Sequence, residues 1–234
     1  MKIKKLFNLA FIATIASFTA CENITDELIS NDSEIRLTSS ITPVTRATNQ
    51  NLQAIQIVTG QQVGVTITGA KSEHNNIAWT AGEDGALTNT GDAIYYGNST
   101  ATITAYHPYN SSWIGTSHTF SVNTDQSENA DYLNSDLLWA KTTAVSKSAD
   151  PISLTFFHKL AKVNVTLQPE YNTDEERAKL NDAIISICNI KLSTTIDLSN
   201  GRVPTEATGD VHEIKAGVGS TASVIVAPQT ICKY

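Results

Sequence analysis

Small or apolar residues alternate with polar ones along much of the chain after residue 34. Ile35, Leu37, Ser39 and Ile41 occupy every second position of the first such run. A period of two places one set of side chains on the buried face of a strand and the other set in water. The same pattern recurs at residues 63–67, 101–105, 152–156, 163–167 and 224–226.

Segments rich in Gly, Asn, Asp, Ser and Thr separate these runs. One of them, Asn200-Gly201, lies between residues 196–198 and Val203 and predicts a tight hairpin turn. Many short strands with regular turns are typical of an all-β fold. The sequence therefore predicts a β-sandwich of about seven or more strands.

One short helix is predicted within this β pattern. Thr173 is a candidate N-cap, and Glu176 follows at the spacing of a capping box. Asp174 and Glu175 fall in the first turn, where negative charge is favourable. The helix is expected to run to about Ala183 and to act as a connector because its exposed face is charged.

The first 34 residues have a different pattern from the rest. Three lysines precede an apolar run over residues 6–16, and small residues then lead to Ala20-Cys21. This layout is typical of a bacterial export signal, and the end resembles a lipobox. We therefore predict a lipoprotein signal peptide over residues 1–20, cleavage between Ala20 and Cys21, and lipid on Cys21. An alternative is a secreted protein that is cut nearby.

The residues after Cys21 are polar and acidic, and residues 21–34 are interpreted as an acidic tether. Without residues 1–20 the chain keeps 13 basic and 23 acidic residues, a net charge of −10. Nucleic acid is therefore not an expected partner. Lipid on Cys21 predicts attachment to the outer membrane, at the cell surface.

Two further cysteines leave alternatives open. Cys188 and Cys232 would be free to pair in an oxidising compartment. Alternatively, Cys188 is a small buried residue among the apolar residues 184–190.

No residue set in the sequence indicates catalysis. The five histidines have no metal-ligand spacing, and no nucleophile or phosphate-binding motif is present. The sequence therefore predicts no enzyme activity, no metal and no cofactor. Trp79 and Trp139 lie in apolar segments and are expected in the core, whereas Trp113 is expected in a loop. An exposed Trp113 would allow an alternative function, glycan binding by a surface lipoprotein.

Several segments together resemble the fimbrillin family of the Bacteroidota, the type V pilins and their accessory subunits. The matching segments occur in order across residues 35–230, at residues 35–41, 45–47, 62–65, 102–109, 125–127, 135–140, 154–163 and 228–230. The resemblance implies a transthyretin-like β-sandwich over residues 47–234, corresponding to the family's N-terminal domain. Family members usually carry a second domain, which is expected to be missing here, either because the sequence is truncated or because the protein is a short paralogue.

The resemblance also implies a processing step and a partner. Cleavage after Arg46, before Ala47, would release residues 35–46 as a removable first strand and linker. A strand from another fimbrial subunit would then fill the vacated groove by donor-strand exchange. The implied function is a structural or adhesive pilus subunit with a host or bacterial surface ligand. In the alternative, Arg46 is not cut and the strand stays in place.

Overall fold

The computed structural model describes residues 33–42 and 55–230. The signal peptide, most of the acidic tether and the lipidation site at Ala20-Cys21 lie outside the described residues. So do the processing site at Arg46-Ala47 and the last cysteine, Cys232. The predictions made for them stay predictions.

Seven strands form one closed sheet around the larger part of the core. Every neighbouring pair is antiparallel except β1 and β8, which run parallel. Around the sheet the order is β1 (Leu37–Ile41), β4 (Ala86–Asn89), β3 (His74–Ala81), β2 (Gln62–Thr68), β5 (Ala101–His107), β7 (Leu138–Val145) and β8 (Ile152–His158).

Each strand of the closed sheet contributes inward side chains. The predicted alternation is confirmed in β1, in β8 and over residues 101–105 of β5, and in β2 it holds apart from the buried Gly64. It is wrong at residues 224–226, where all three side chains are buried. The first core cluster includes Ile35, Leu37, Ile41, Val63, Val65, Ile67, Trp79, Leu87, Ile103, Leu138, Leu154 and Phe156.

The remaining strands form a second lobe against the outside of β5 and β7. It consists of a three-stranded sheet ordered β11-β10-β6 and a two-stranded sheet of β12 and β9. A second apolar cluster lies between this lobe and the closed sheet, with Tyr106 buried in it and Trp139 packed against it. The strands are β6 (Ser117–Ser121), β9 (Ala161–Thr166), β10 (Ile184–Asp197), β11 (Thr208–Val218) and β12 (Thr221–Val226).

The indole of Trp139 joins the two lobes. Its Nε1 donates a hydrogen bond to the carbonyl oxygen of Leu198 at 2.9 Å. Gly201, in the predicted Asn200-Gly201 turn, has φ +69°, and a Cβ there would meet the Trp139 ring at 2.4 Å. Glycine is therefore required both by the turn and by the close approach of the indole.

Two short helices accompany the strands. The predicted helix is confirmed as α2 (Asp174–Lys179), and the Thr173 side chain accepts a hydrogen bond from the Glu176 amide at 3.3 Å. A 3₁₀ turn continues it over Leu180–Asp182. The other helix, α1 (Asn129–Asn134), was not predicted from the sequence. It has no side-chain cap at Glu128, so the local signal that revealed α2 is missing there.

The all-β prediction is confirmed, but the sheet arrangement differs from a sandwich of two separate sheets. β1 pairs with β4 on one side and with β8 on the other, so it joins both layers into one closed sheet. Closure gives every edge strand a partner and removes the free edges that an open sandwich would present.

Candidate functional site

The strand β1 closes the sheet, and its inward side chains fill a groove in the core. Leu37 and Ile41 point into the core, as does Ile35 just before the strand, and all three are almost completely buried. Ser39, the residue between the two inward apolar positions, is 7% exposed. We call the space that these side chains occupy the β1 groove, bounded by β4, β8 and residues 55–57 and 85.

The parallel contact with β8 is the longer wall of the β1 groove. The register pairs Leu37 with Ile152 and continues residue by residue to Ile41 and Phe156. Beyond both ends of the strand the ladder is extended by two amides. The Ile152 amide donates to Arg36 O at 2.8 Å, and the Thr42 amide donates to Phe156 O at 3.0 Å.

The opposite wall is short and is completed by side-chain and loop contacts. β1 pairs with β4 only at Leu37 with Leu87 and at Thr38 with Ala86. Beyond them, the Ser39 hydroxyl donates to Gly85 O at 3.1 Å and accepts from the Ile57 amide at 3.2 Å. The Ser39 hydroxyl therefore substitutes for two ladder contacts that the neighbouring backbone does not make with β1.

A cavity of about 400 Å³ opens at the start of β1, beside the two positions at which β1 pairs with β4. Its lining is mostly apolar and includes Ile35, Leu37, Trp79, Leu87 and Ile94. The buried Trp79 Nε1 has no hydrogen-bond partner in the described part of the chain. The resident strand thus leaves space unfilled at this end of the groove.

Leaving the groove empty would lower the stability of the protein. The side chains of Ile35, Leu37 and Ile41 are removed from water there, and their burial contributes roughly 5–9 kcal/mol to the free energy of unfolding. Typical domains have a total stability of about 5–15 kcal/mol. The body of the protein therefore needs an occupant in this groove, whether β1 or another strand.

A second group of polar residues lies buried between the lobes. Asp136 accepts a hydrogen bond from His158 Nδ1 at 2.8 Å, and both side chains are almost inaccessible to water. The ring nitrogens of His107 lie 2.9 Å from Gln62 O and 3.3 Å from Leu133 O. Burial lowers the pKa of His107, so its ring is neutral in the folded protein at neutral pH.

Within the part of the chain that the structure describes, the Lys162 ammonium and the Tyr132 hydroxyl at this junction have no hydrogen-bond partner. The Lys162 ammonium is buried 5.9 Å from the centre of the Tyr132 ring. Burial lowers the pKa of Lys162 and raises the pKa of Tyr132, while Asp136 opposes the first shift and adds to the second. Because these groups are enclosed between α1, β8 and β9, we interpret the cluster as a structural contact between the lobes.

Trp113 lies in a loop, as predicted, but its expected exposure is wrong. Only 6% of the residue is exposed. The ring stacks on Tyr106 with centroids 4.7 Å apart and on His118 with centroids 4.8 Å apart. Both faces are covered because a large aromatic ring gains more by packing than by facing water. A sugar cannot stack on Trp113, and the glycan alternative loses the residue on which it rested.

The other aromatic and cysteine interpretations have mixed outcomes. Trp79 is buried in the first core cluster, as predicted, whereas Trp139 is half-buried between the lobes. Cys188 is exposed, so the interpretation as a small buried residue is wrong. Cys188 lies within the stretch of β10 where the register against β11 shifts, between Ile187 and Ile190. An apolar neighbourhood in the sequence therefore did not place the thiol on the buried face.

Residues 33–42 and 55–230 lack two other kinds of site. No group of three or more metal-ligating side chains occurs there. No helix in that part of the chain has the length and apolar character needed to cross a membrane.

The fold and groove define an all-β protein with a closed sheet and an attached second lobe. Residues 45–233 match the model of a family described as fimbrillin-like. The chain therefore belongs to the fimbrillin-like family, and the resemblance drawn from its sequence segments is confirmed. A search of the curated proteins gave no match.

Three solved structures with the same fold come from Bacteroides species. A proposed cell adhesion protein of Bacteroides uniformis is 23% identical, with a TM-score of 0.62, over 83% of this chain and 74% of that chain. Another from Bacteroides ovatus is 16% identical, with a TM-score of 0.64, over 86% and 80% of the two chains. A fimbrial protein of Bacteroides ovatus is 16% identical, with a TM-score of 0.50, over 85% of this chain and 42% of its own length. At these identities the likeness establishes the fold.

Proposed function

We infer that the chain is a non-catalytic structural subunit of a fimbrium, exported as a lipoprotein and assembled by strand exchange at the β1 groove. The observation that carries this proposal is the position of β1. It closes the sheet and, with Ile35 just before it, buries three apolar side chains, yet the sequence continues from it directly into the segment that contains Arg46.

In this proposal the lipid on Cys21 carries the subunit to the outer membrane and cleavage after Arg46 cuts the covalent connection to β1. A strand from another subunit then replaces β1. Main-chain hydrogen bonds to β8 would supply affinity, and alternate side chains would fill the positions of Leu37 and Ile41. The neighbours named as fimbrial and cell adhesion proteins support a place at the cell surface.

The proposal predicts selective cleavage by an arginine-specific protease. Denaturing mass spectrometry should show one early cut after Arg46, and native chromatography should show both fragments still together because an empty groove is costly. The control variant Arg46→Lys should resist the cut. A chain that stays intact at Arg46, or that is digested throughout, would contradict a processed subunit.

A further inference from the structure

We propose that the β1 groove selects its occupant at the Ser39 position, where it requires a serine or threonine flanked at two residues on either side by apolar side chains. This inference rests on the proposed strand exchange and names the class of strand that can take part in it. The partner is a chain whose exposed or terminal strand carries this pattern.

The requirement comes from two backbone groups of the body that point at one side-chain oxygen. Gly85 O and the Ile57 amide lie 3.1 Å and 3.2 Å from Ser39 Oγ. Gly85 and Ile57 are both buried, so water has little access to either group. A hydroxyl serves both because it has one donor and two acceptor sites, whereas an alanine or valine serves neither.

The close approach of the backbone limits what else fits. Gly85 has φ +75°, and a Cβ on it would lie 2.6 Å from Ser39 O. The strand in the groove therefore passes directly against the Gly85 backbone. A longer polar side chain at the Ser39 position would have to occupy space that the core already fills around Leu37 and Ile41.

The neighbouring hydroxyl provides an internal contrast. Ser40 points outward and lies 3.3–3.5 Å from the Thr155 hydroxyl, the Leu154 carbonyl oxygen and the Ser153 hydroxyl. Water replaces such contacts at the surface, so the Ser40 position should not select the occupant. The groove thus distinguishes two adjacent serines by the side of the sheet on which they lie.

The same chain contains a second segment with the required pattern, at residues 190–196. That segment lies in the middle of β10, paired with β11 and β6, and its Thr194 is buried. It is therefore not free to enter the groove of another copy without unfolding the second lobe. A donor strand must come from a different segment or a different chain.

The test uses the full chain after the cut at Arg46, with the protease then inhibited. Labelled synthetic peptides of residues 33–45 compete with the resident strand, and binding is followed by fluorescence anisotropy. The unchanged peptide, the Ser39→Thr peptide and the Ser40→Ala control should bind with similar affinity. The Ser39→Ala peptide should bind at least tenfold more weakly, which corresponds to about 1.4 kcal/mol.

The outcomes separate this inference from the proposed function. Equal binding of the Ser39→Ala and unchanged peptides would overturn the selection while leaving strand exchange intact. Failure of every peptide to enter the nicked chain would overturn strand exchange itself, and the selection with it. Equal losses for Ser39→Ala and Ser40→Ala would show that peptide conformation, rather than the groove, sets the affinity, which also overturns the inference.

Discussion

The first strand and the middle of β10 have nearly the same sequence but very different surroundings. Residues 35–41 read Ile-Arg-Leu-Thr-Ser-Ser-Ile, and residues 190–196 read Ile-Lys-Leu-Ser-Thr-Thr-Ile. Each position carries the same or a closely similar residue type. In both segments the two outer isoleucines and the fifth residue, Ser39 or Thr194, are buried. The pattern therefore specifies the inward face of each strand in the same way.

The neighbours make the difference. β1 has five residues, a parallel partner in β8 and only two paired positions with β4. β10 has fourteen residues and antiparallel partners along both edges. Parallel pairing is slightly less stable per residue than antiparallel pairing. Under the proposed strand exchange, a strand held in this way would be the replaceable one, whereas a central antiparallel strand would hold its lobe together.

The largest expected effect tests whether β10 holds its lobe together. Ile196→Ala removes a fully buried side chain and should lower the free energy of unfolding by about 2–5 kcal/mol. Urea unfolding measures this, and hydrogen exchange should accelerate across both lobes. The control Val211→Ala, at a β11 position that is 56% exposed, should change stability by less than about 0.5 kcal/mol.

The matching change in β1 is Leu37→Ala. The loss of packing should lower the free energy of unfolding by an amount in the same range. In β1, however, the effect should stay local and appear as faster hydrogen exchange of the Ile152 and Thr42 amides, which donate hydrogen bonds at the two ends of the contact between β1 and β8. Exchange in β10 should stay near that of the unchanged protein. If Leu37→Ala accelerated exchange in β10 as strongly as Ile196→Ala does, the two strands would not differ in the way proposed.

A smaller effect separates the two buried hydroxyls. Ser39→Ala leaves Gly85 O and the Ile57 amide without their partner, and should cost about 1–3 kcal/mol. Thr194 Oγ1 is buried with no hydrogen-bond partner in the described structure. Thr194→Val should therefore be neutral or slightly stabilising, within about 1 kcal/mol. Urea unfolding measures the free energy of unfolding of both variants. A larger loss of stability for Thr194→Val than for Ser39→Ala would contradict this prediction.

Local patterns made part of this fold predictable. The alternation at residues 35–41 predicted a strand and its buried face, because side-chain direction in a strand depends only on position. The cap at Thr173 predicted α2, since its hydrogen bond to Glu176 spans one turn. These signals lie within a few residues of the structure that they specify.

The closure of the sheet and the groove could not be predicted in this way. β1 meets β4 and β8, which lie far along the chain, and nothing in residues 35–41 selects these partners over others. The Cys188 thiol is exposed at a shift in strand register that its apolar neighbours do not reveal. Trp113 is buried by partners from β5 and β6, so its loop position alone suggested the wrong exposure.

The last expected effect is the smallest near neutral pH and grows as the pH falls, and it concerns the junction that connects the two lobes. His107 is completely buried between Gln62 O and Leu133 O, and burial lowers its pKa in the folded protein. The unfolded chain, with a histidine pKa near 6.5, therefore binds a proton more readily. Below about pH 6.5 the free energy of unfolding should fall by up to about 1.4 kcal/mol per pH unit on account of this group.

The variant His107→Gln should lack this contribution, so its stability should decline less than that of the unchanged protein between pH 7 and pH 5. Urea unfolding over this range measures the difference. The control His212→Gln, at an exposed position of β11, should keep the original pH dependence. Because the His107 ring contacts β2 and the end of α1, protonation should loosen the closed sheet and the second lobe together. If the free energy of unfolding fell equally with pH in His107→Gln and in the unchanged protein, the contact between the lobes would not depend on a neutral histidine. The contrast between β1 and β10 would then be confined to the strands themselves.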